Sequence, residues 1–401
     1  MNPILKNTGK STTAIRPSSA NSRLLVPVIA SAGAVGLSIG LIIPLTSIVL
    51  EQRDISIIAI GLNATVYSLA ILLTGPFLPA IIHRIGLLNS MFAGALLSGV
   101  FVIGICLDES LWLWYLLRFC MGFSGGMHWV GSETWINEMA PEQHRGRIVG
   151  AYATIWSMGI AAGPLILKLT GVAGALPFVV SGCLMAGAAL PLLVVPKVEN
   201  NHIAPTRHLV LRMVYIAPVA MGAGFLSGFL ETSVLALLPV YGLHSGVETA
   251  DVLILVSLFA IGSFANQPFI GWIADKVTFK KVAIDIAAVS FLVVPFLPFC
   301  LHLPILTGML LFFWGGSVGG YYTLGMLNVG QSFKGSDLTA ASSMFVMAYT
   351  AGMVVGPLFC STLMRLAGPS GLLILPGIVP VFFIMLVLRR ESSVTPDGSK
   401  I

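Results

Sequence analysis

Charge is scarce in this chain of 401 residues: Asp, Glu, Lys and Arg make up 9% of it, against about 25% in a soluble globular protein. So few charges cannot cover a water-facing surface, so most of the surface must meet lipid. An assembly of soluble domains is thereby excluded. Cysteine is sparse as well. Cys106, Cys120, Cys183, Cys300 and Cys360 are scattered through apolar stretches, with no CxxC pair and no His/Cys cluster. A thiolate metal site and a disulfide framework are excluded, and neither metal nor cofactor is expected. The net charge of +5 does not point to nucleic acid. The bases lie between apolar stretches and form no patch interleaved with aromatics.

What the chain does have is apolar length. Residues of the AVILMFWYC set reach 56%, and the mean hydropathy is +0.95. Apolar runs near 24–50, 55–82, 87–107, 111–139, 147–169 and 172–195 each suffice to cross about 30 Å of hydrocarbon as a helix. Six more follow near 211–241, 250–274, 281–300, 304–330, 338–364 and 371–388. The split of 145–195 into two helices rests on Gly171 and Gly174. Counted with the N-terminus inside, seventeen Lys and Arg fall on the inner side. Only Arg53, Lys168 and Arg365 fall outside, and Arg118 lies within a helix. That asymmetry predicts a multi-pass protein of the inner (plasma) membrane with both termini cytoplasmic. Residues 1–23 and 391–401 read as disordered tails, 24–195 and 211–390 as two six-helix bundles, and 196–210 as a cytoplasmic connector.

The halves repeat at an offset of about 192–193 residues. Helix 2 ends Pro76-Phe77-Leu78 and helix 8 ends Pro268-Phe269-Ile270. Helix 5 carries Gly159-xxx-Gly163-Pro164 and helix 11 carries Gly352-xxx-Gly356-Pro357. Gly122-Phe123-Ser124-Gly125-Gly126 of helix 4 is matched by Gly315-Gly316-Ser317-Val318-Gly319 of helix 10. Two six-helix halves with the same in-out sense pack about an axis along the membrane normal. The expected fold is all-α, with twelve transmembrane helices in two pseudo-symmetric bundles.

The loop Gly271-Trp272-Ile273-Ala274-Asp275-Lys276, followed by Lys280-Lys281, resembles the GxxxD(R/K)xGRK signature of the major facilitator superfamily, with Thr278 in place of its second glycine. In the N-terminal copy Pro79 stands for the first glycine and His83 for the acid, while Arg84 and Gly86 remain. Arg118-xxx-Gly122 is similar to the family's RxxxG motif. The Gly163-Pro164 segment resembles part of the proton-linked exporters' helix-5 motif, with Leu167 where a terminal glycine is expected. The resemblance spans about residues 24–390. It implies a transporter, working without a cofactor, that binds a small-molecule substrate and protons in the lipid bilayer as a monomer.

Gly122-Phe123-Ser124-Gly125 also fits the GxSG of intramembrane serine proteases. Only His128 could serve as its base, and the motif recurs in helix 10, where a second nucleophile has no use. Small residues that let helices approach explain both copies. Gly163-Pro164 and Gly356-Pro357 join close helix contact to the loss of one backbone hydrogen bond, which suits either packing or a bend that closes a cavity. Asp275 with Lys276 is placed as an inner-gate latch against the N-terminus of helix 5, near Arg147. His83 and Arg84, facing the start of helix 11, form the weaker mirrored latch.

Ionisable groups inside helices usually face a cavity or a partner. Arg118, His128, Glu133 and Glu231 are the candidates, the alternative for Glu133, as for Glu138, being simply to meet Arg145 or Arg147 near the cytoplasmic face. Arg118 and Glu231 are expected to pair across the cavity in one state and part in another, so that Glu231 releases and takes up a proton. Further cavity candidates in the first half are Asn63, Tyr67, Trp129, Tyr152 and Trp156. In the second half they are Asn266, Gln267, Tyr321, Tyr322, Asn328 and Tyr349. The function expected is secondary transport of a small organic solute by proton-coupled antiport. Facilitated uptake or proton symport is the alternative. An intramembrane protease or a non-transporting receptor is more remote.

Overall fold

A computed structural model describes residues 22–195 and 215–391. Most of both expected tails and the whole connector 196–210 lie outside the described residues. Twelve rods follow in order: α1 Ser22–Gln52, α2 Ile57–Thr74 with Leu78–Ile85, α3 Leu87–Gly104, α4 Leu111–Met139, α5 Arg145–Thr170 and α6 Leu176–Gly187. The second half has α7 Pro218–His244, α8 Thr249–Ala265 with Gln267–Ala274, α9 Phe279–Val293, α10 Pro304–Ser332, α11 Gly335–Ala367 and α12 Gly371–Glu391. Ten of these, counted with the short segments that continue them (α6 to Val194, α9 to Cys300), are long and apolar enough to cross a membrane. The other two, α4 and α10, are each 29 residues long, but their glycines, tryptophans and polar groups dilute the apolar character.

Several expected runs are broken: 172–195 leaves the α-helix after Gly187, and 281–300 is interrupted at Val294–Phe296. α2 turns at Gly75-Pro76-Phe77 and α8 at Asn266, each next to a proline that cannot donate to the helix. The division between α5 and α6 falls where Gly171 and Gly174 adopt φ of 77° and 72°, a region that favours glycine.

The packing pairs of the first half recur in the second. α1 lies on α5 and α7 on α11; α2 on α4 and α8 on α10; α3 on α6 and α9 on α12. Single hydrogen bonds repeat too. Ser98 and Ser124 join α3 to α4 at 2.7 Å, and Ser290 and Ser317 join α9 to α10 at 2.6 Å.

Glycine sets how closely the rods approach. Pro164 has no N–H for the Ile160 carbonyl, and a Cβ on Gly40 would run into that same carbonyl. The turn of α5 that Pro164 deprives of a hydrogen bond is thus seated on bare backbone of α1.

The ends of the bundle differ. We call the end holding Ser22 and Asp275 the terminal end, and the other the distal end. Toward the distal end the halves meet through α1 with α7, α2 with both α7 and α11, and α5 with α8. Glu51 of α1 lies 3.2 Å from His244 of α7, and the Thr65 hydroxyl of α2 donates to the Val354 carbonyl of α11 at 3.1 Å. The first segment of α8 packs across onto α5. The terminal segments of α2 and α8 pack instead on α3, α4, α9 and α10 of their own halves. A Cβ added at Gly150 of α5 or Gly271 of α8 would meet no atom within 4 Å. The cleft between the halves is therefore shut distally and open at the terminal end.

Candidate functional site: the cleft between the halves

Helices α4, α5, α7, α10 and α11 bring the central residues together. Glu231 sits at the midpoint of α7 (Pro218–His244), and the Tyr349 hydroxyl of α11 donates to its Oε2 at 3.0 Å. Tyr322 of α10 stacks edge-on against Tyr349, with ring centroids 5.5 Å apart. From the other half, Trp129 Nε1 donates to Glu133 Oε1 at 3.1 Å, one turn apart on α4. Glu133 is close enough to Tyr152, Tyr322 and Tyr349 to act on each electrostatically, and Glu231 acts likewise on Tyr322 and Tyr349. Glu133, Trp129, Glu231, Tyr322 and Tyr349 are deep in the bundle yet all partly accessible. Tyr152 is buried behind them, its hydroxyl 2.9 Å from Ser132. Below them, toward the distal seal, Glu231 lines a small cavity with Ser157, Ile160, Phe259 and Ser263.

Several expectations are corrected. Glu133 does not reach Arg145 or Arg147, which are exposed at the start of α5; its side chain turns into the bundle and is held by Trp129. Arg118 is apart from Glu231 in this state, one of the two arrangements expected of the pair. Its Nε donates to the Asn63 carbonyl at 3.4 Å and its guanidinium lies over the Tyr67 ring at 5.2 Å, leaving it 2% exposed. A carbonyl and an aromatic face within its own half satisfy the cation. His128 is fully buried, with Nε2 2.8 Å from the Ser31 hydroxyl, which itself donates to the Ala188 carbonyl. It ties α4 to α1 and the region after α6, away from the cleft.

Tyr321 is also buried and packs on Phe383 of α12. Trp156 packs with the cluster of α1 and α6 residues around Val35 and Met185. Asn266 caps the break in α8, donating to the Gly262 carbonyl at 2.9 Å. Gln267, next to it, and Asn328 on α10 are half-buried. The pair Glu51–His244 was not singled out from sequence. Its only local sign is that both residues end helices on the same side.

The gate residues His83, Arg84, Asp275 and Lys276 are exposed at the terminal end, with the Lys276 ammonium 3.6 Å above the Trp272 ring. Gly163 lies against Gly40 and Leu41 of α1, and Gly356 against Phe229 and Ser233 of α7. The prolines that follow, Pro164 and Pro357, lie inside their helices.

Ser124 faces Ser98 and the Cys120 carbonyl rather than His128. No nucleophile and base are assembled there. Replacing Ser124 with Ala should cost about 1 kcal/mol of stability, the usual worth of a hydroxyl hydrogen bond. Thermal unfolding should register that loss while transport continues. Loss of transport at unchanged stability would give the hydroxyl a functional part.

Two like halves of lipid-facing helices around a polar cleft, open at one end, define a membrane carrier. A family model of the Major Facilitator Superfamily matches residues 28–333 and 221–400. The chain belongs to this superfamily and is a membrane transporter that binds a small-molecule substrate, not an enzyme. It is 30% identical over 334 residues to the MFS-type transporter YfkF of Bacillus subtilis (strain 168), an overlap of 80% of this chain and 84% of YfkF. To the MFS-type transporter YcaD of Salmonella typhimurium it is 25% identical over 365 residues, 90% of this chain and 94% of YcaD. Two solved structures share the fold at 14% identity. The nucleoside transporter NupG, solved as a point mutant, has a TM-score of 0.74, covering 91% of this chain and 99% of NupG. A bacterial homologue of the human lysosomal transporter Spinster, inward-facing and unoccupied, has a TM-score of 0.68, covering 92% and 96%.

Proposed function

We propose that the protein exchanges a small organic solute for protons across the plasma (inner) membrane. Units 24–195 and 211–390, joined by the connector 196–210, rock about the cleft between them. The observation that carries this reading is the unequal contact between the halves. They are bound together at the distal end and part at the terminal end, around a cleft holding two carboxylates. Sealing one end at a time is what moves a solute without opening a continuous pore. The excess of Lys and Arg among the described residues of the terminal end supports a cytoplasmic position for that end, and both chain termini are assigned to the same side on the same rule. Glu231, deepest in the cleft and beside the distal seal, is the proton-carrying group. One chain supplies both halves, so the carrier works as a monomer.

A thermal-shift screen of organic solutes on purified protein tests the reading, because a ligand of the folded state raises its apparent stability. Each hit should then show counterflow in proteoliposomes. A ligand that stabilises the protein but never exchanges would make it a receptor instead.

Asp275 latches the terminal end when it closes, by reaching the N-terminus of α5. Asp275→Asn should slow turnover roughly two- to five-fold, the worth of a carboxylate at a helix N-terminus. It should also raise maleimide labelling of a cysteine placed at Gly150 in a cysteine-free background. Unchanged labelling and turnover would remove the latch.

A further inference from the structure

Among the described residues, two carboxylates and no base lie in the interior of the cleft. Among the described residues, Arg118 is the one Lys or Arg away from the helix ends, and it is buried against Asn63 and Tyr67. His128 is sealed behind α4 on Ser31. The charge that reaches the cleft is therefore negative, from Glu133 on one half and Glu231 on the other. A buried charge is costly unless a partner compensates it. What holds the Glu133 carboxylate is a neutral indole N–H, on Oε1. The wall opposite is aromatic: Tyr322 and Tyr349 form an edge-on pair within electrostatic reach of Glu133, and Trp129 adds a third ring beside Glu133 on α4 itself. Aromatic faces attract cations and present little to an anion. No group of three His, Cys, Asp or Glu that could hold a metal ion occurs among the described residues. What favours an organic cation is the aromatic lining, which can cover a bulky onium or amine by cation–π contact.

Depth assigns the two acids different parts. Glu133 lies six residues before the end of α4 at Met139, roughly 9 Å inside the open end, whereas Glu231 lies roughly 20 Å from either end of α7. A solute entering from the open end reaches Glu133 first.

We infer that the cleft binds an organic cation, an amine or quaternary onium carrying aromatic or aliphatic bulk, with its charge on Glu133 and its body against Trp129, Tyr322 and Tyr349. This rests on the carrier reading for the site but not on any direction of transport. The ligand seats by ionic and cation–π contact alone, and no covalent step is involved.

The experiment compares two probes of nearly equal shape and opposite charge, tetraphenylphosphonium and tetraphenylborate. Each is titrated onto wild-type protein in nanodiscs, with empty nanodiscs subtracted. Saturable binding of the phosphonium at least ten-fold tighter than the borate is expected. Glu133→Gln should weaken phosphonium binding by about ten-fold or more, the loss of one charge-assisted contact. Size-exclusion profiles certify that the variant is folded. If it does not fold, the wild-type comparison decides alone. No saturable phosphonium binding, borate binding as tight or tighter, or unchanged phosphonium binding by folded Glu133→Gln protein each overturns the inference. Counterflow is read separately, so binding of the phosphonium without exchange would remove the carrier reading and leave the cation site standing.

Discussion

Glu231→Gln protein is expected to lose solute accumulation driven by a pH gradient while keeping solute exchange at saturating concentration. Glutamine keeps the shape of the side chain and can still accept the Tyr349 hydroxyl, which now lies 3.0 Å from Glu231 Oε2. It cannot carry a proton. Coupling needs a group that is protonated in one state and not in the other, and a neutral amide makes both states alike. The groups around Glu231 are Tyr349 and Tyr322, with Glu133 acting on the same two tyrosines from the opposite half and Ser157 and Ser263 in the cavity below. None is a base that would hold Glu231 permanently ionised. Arg118, the expected partner, is engaged with Asn63 and Tyr67. Proteoliposomes with an imposed gradient should accumulate solute with wild-type protein and equilibrate without accumulation with Glu231→Gln. A mutant that still concentrates solute in response to the gradient would exclude Glu231 as the coupling acid.

Leucine at Gly163 should abolish both folding yield and transport. A Cβ there already meets the backbone of Gly40 and Leu41 on α1, and one at Gly356 meets the Phe229 carbonyl on α7. A flexible side chain can swing aside, but two helix backbones can only separate. Overpacking a dense interior costs about 1–3 kcal/mol and more where nothing gives. Rods separated at Gly163 would also lose the fit at Gly36, Gly40 and Gly159, and small residues at such crossings supply much of the attraction between membrane helices. Gly356→Leu should act alike between α7 and α11. Leucine at Gly187 is the control, since a Cβ there meets nothing within 4 Å. Fluorescence-detected size-exclusion chromatography of the three variants reads the outcome. Wild-type yield and transport from Gly163→Leu would mean that α5 does not rest on α1.

Membrane character was legible in composition because the cost of burying charge in lipid adds residue by residue, wherever the residue lies. The rods follow from the same local sum, and Gly171 and Gly174 mark the α5–α6 turn because a positive φ is a property of a single residue. The repeat was visible in Gly163-Pro164 and Gly356-Pro357 because rods in van der Waals contact leave room for nothing larger than glycine. Side-chain direction was not legible. Whether Glu133 turns outward to Arg145 and Arg147 or inward to Trp129 depends on the rotation of α4 among four neighbours, and its one-turn spacing from Trp129 fits either. Arg118 and Glu231 are opposite charges within helices of the two halves and invite pairing, but in this state Arg118 is engaged by the Asn63 carbonyl and Tyr67 ring of its own half. Which end is shut depends on contacts between residues hundreds of positions apart, such as Thr65 with Val354. Local chemistry fixes that there are rods and where they cross the bilayer. The rotation of each rod and the end of the bundle at which the cleft opens are properties of the rods packed together, and only the tertiary structure decides them.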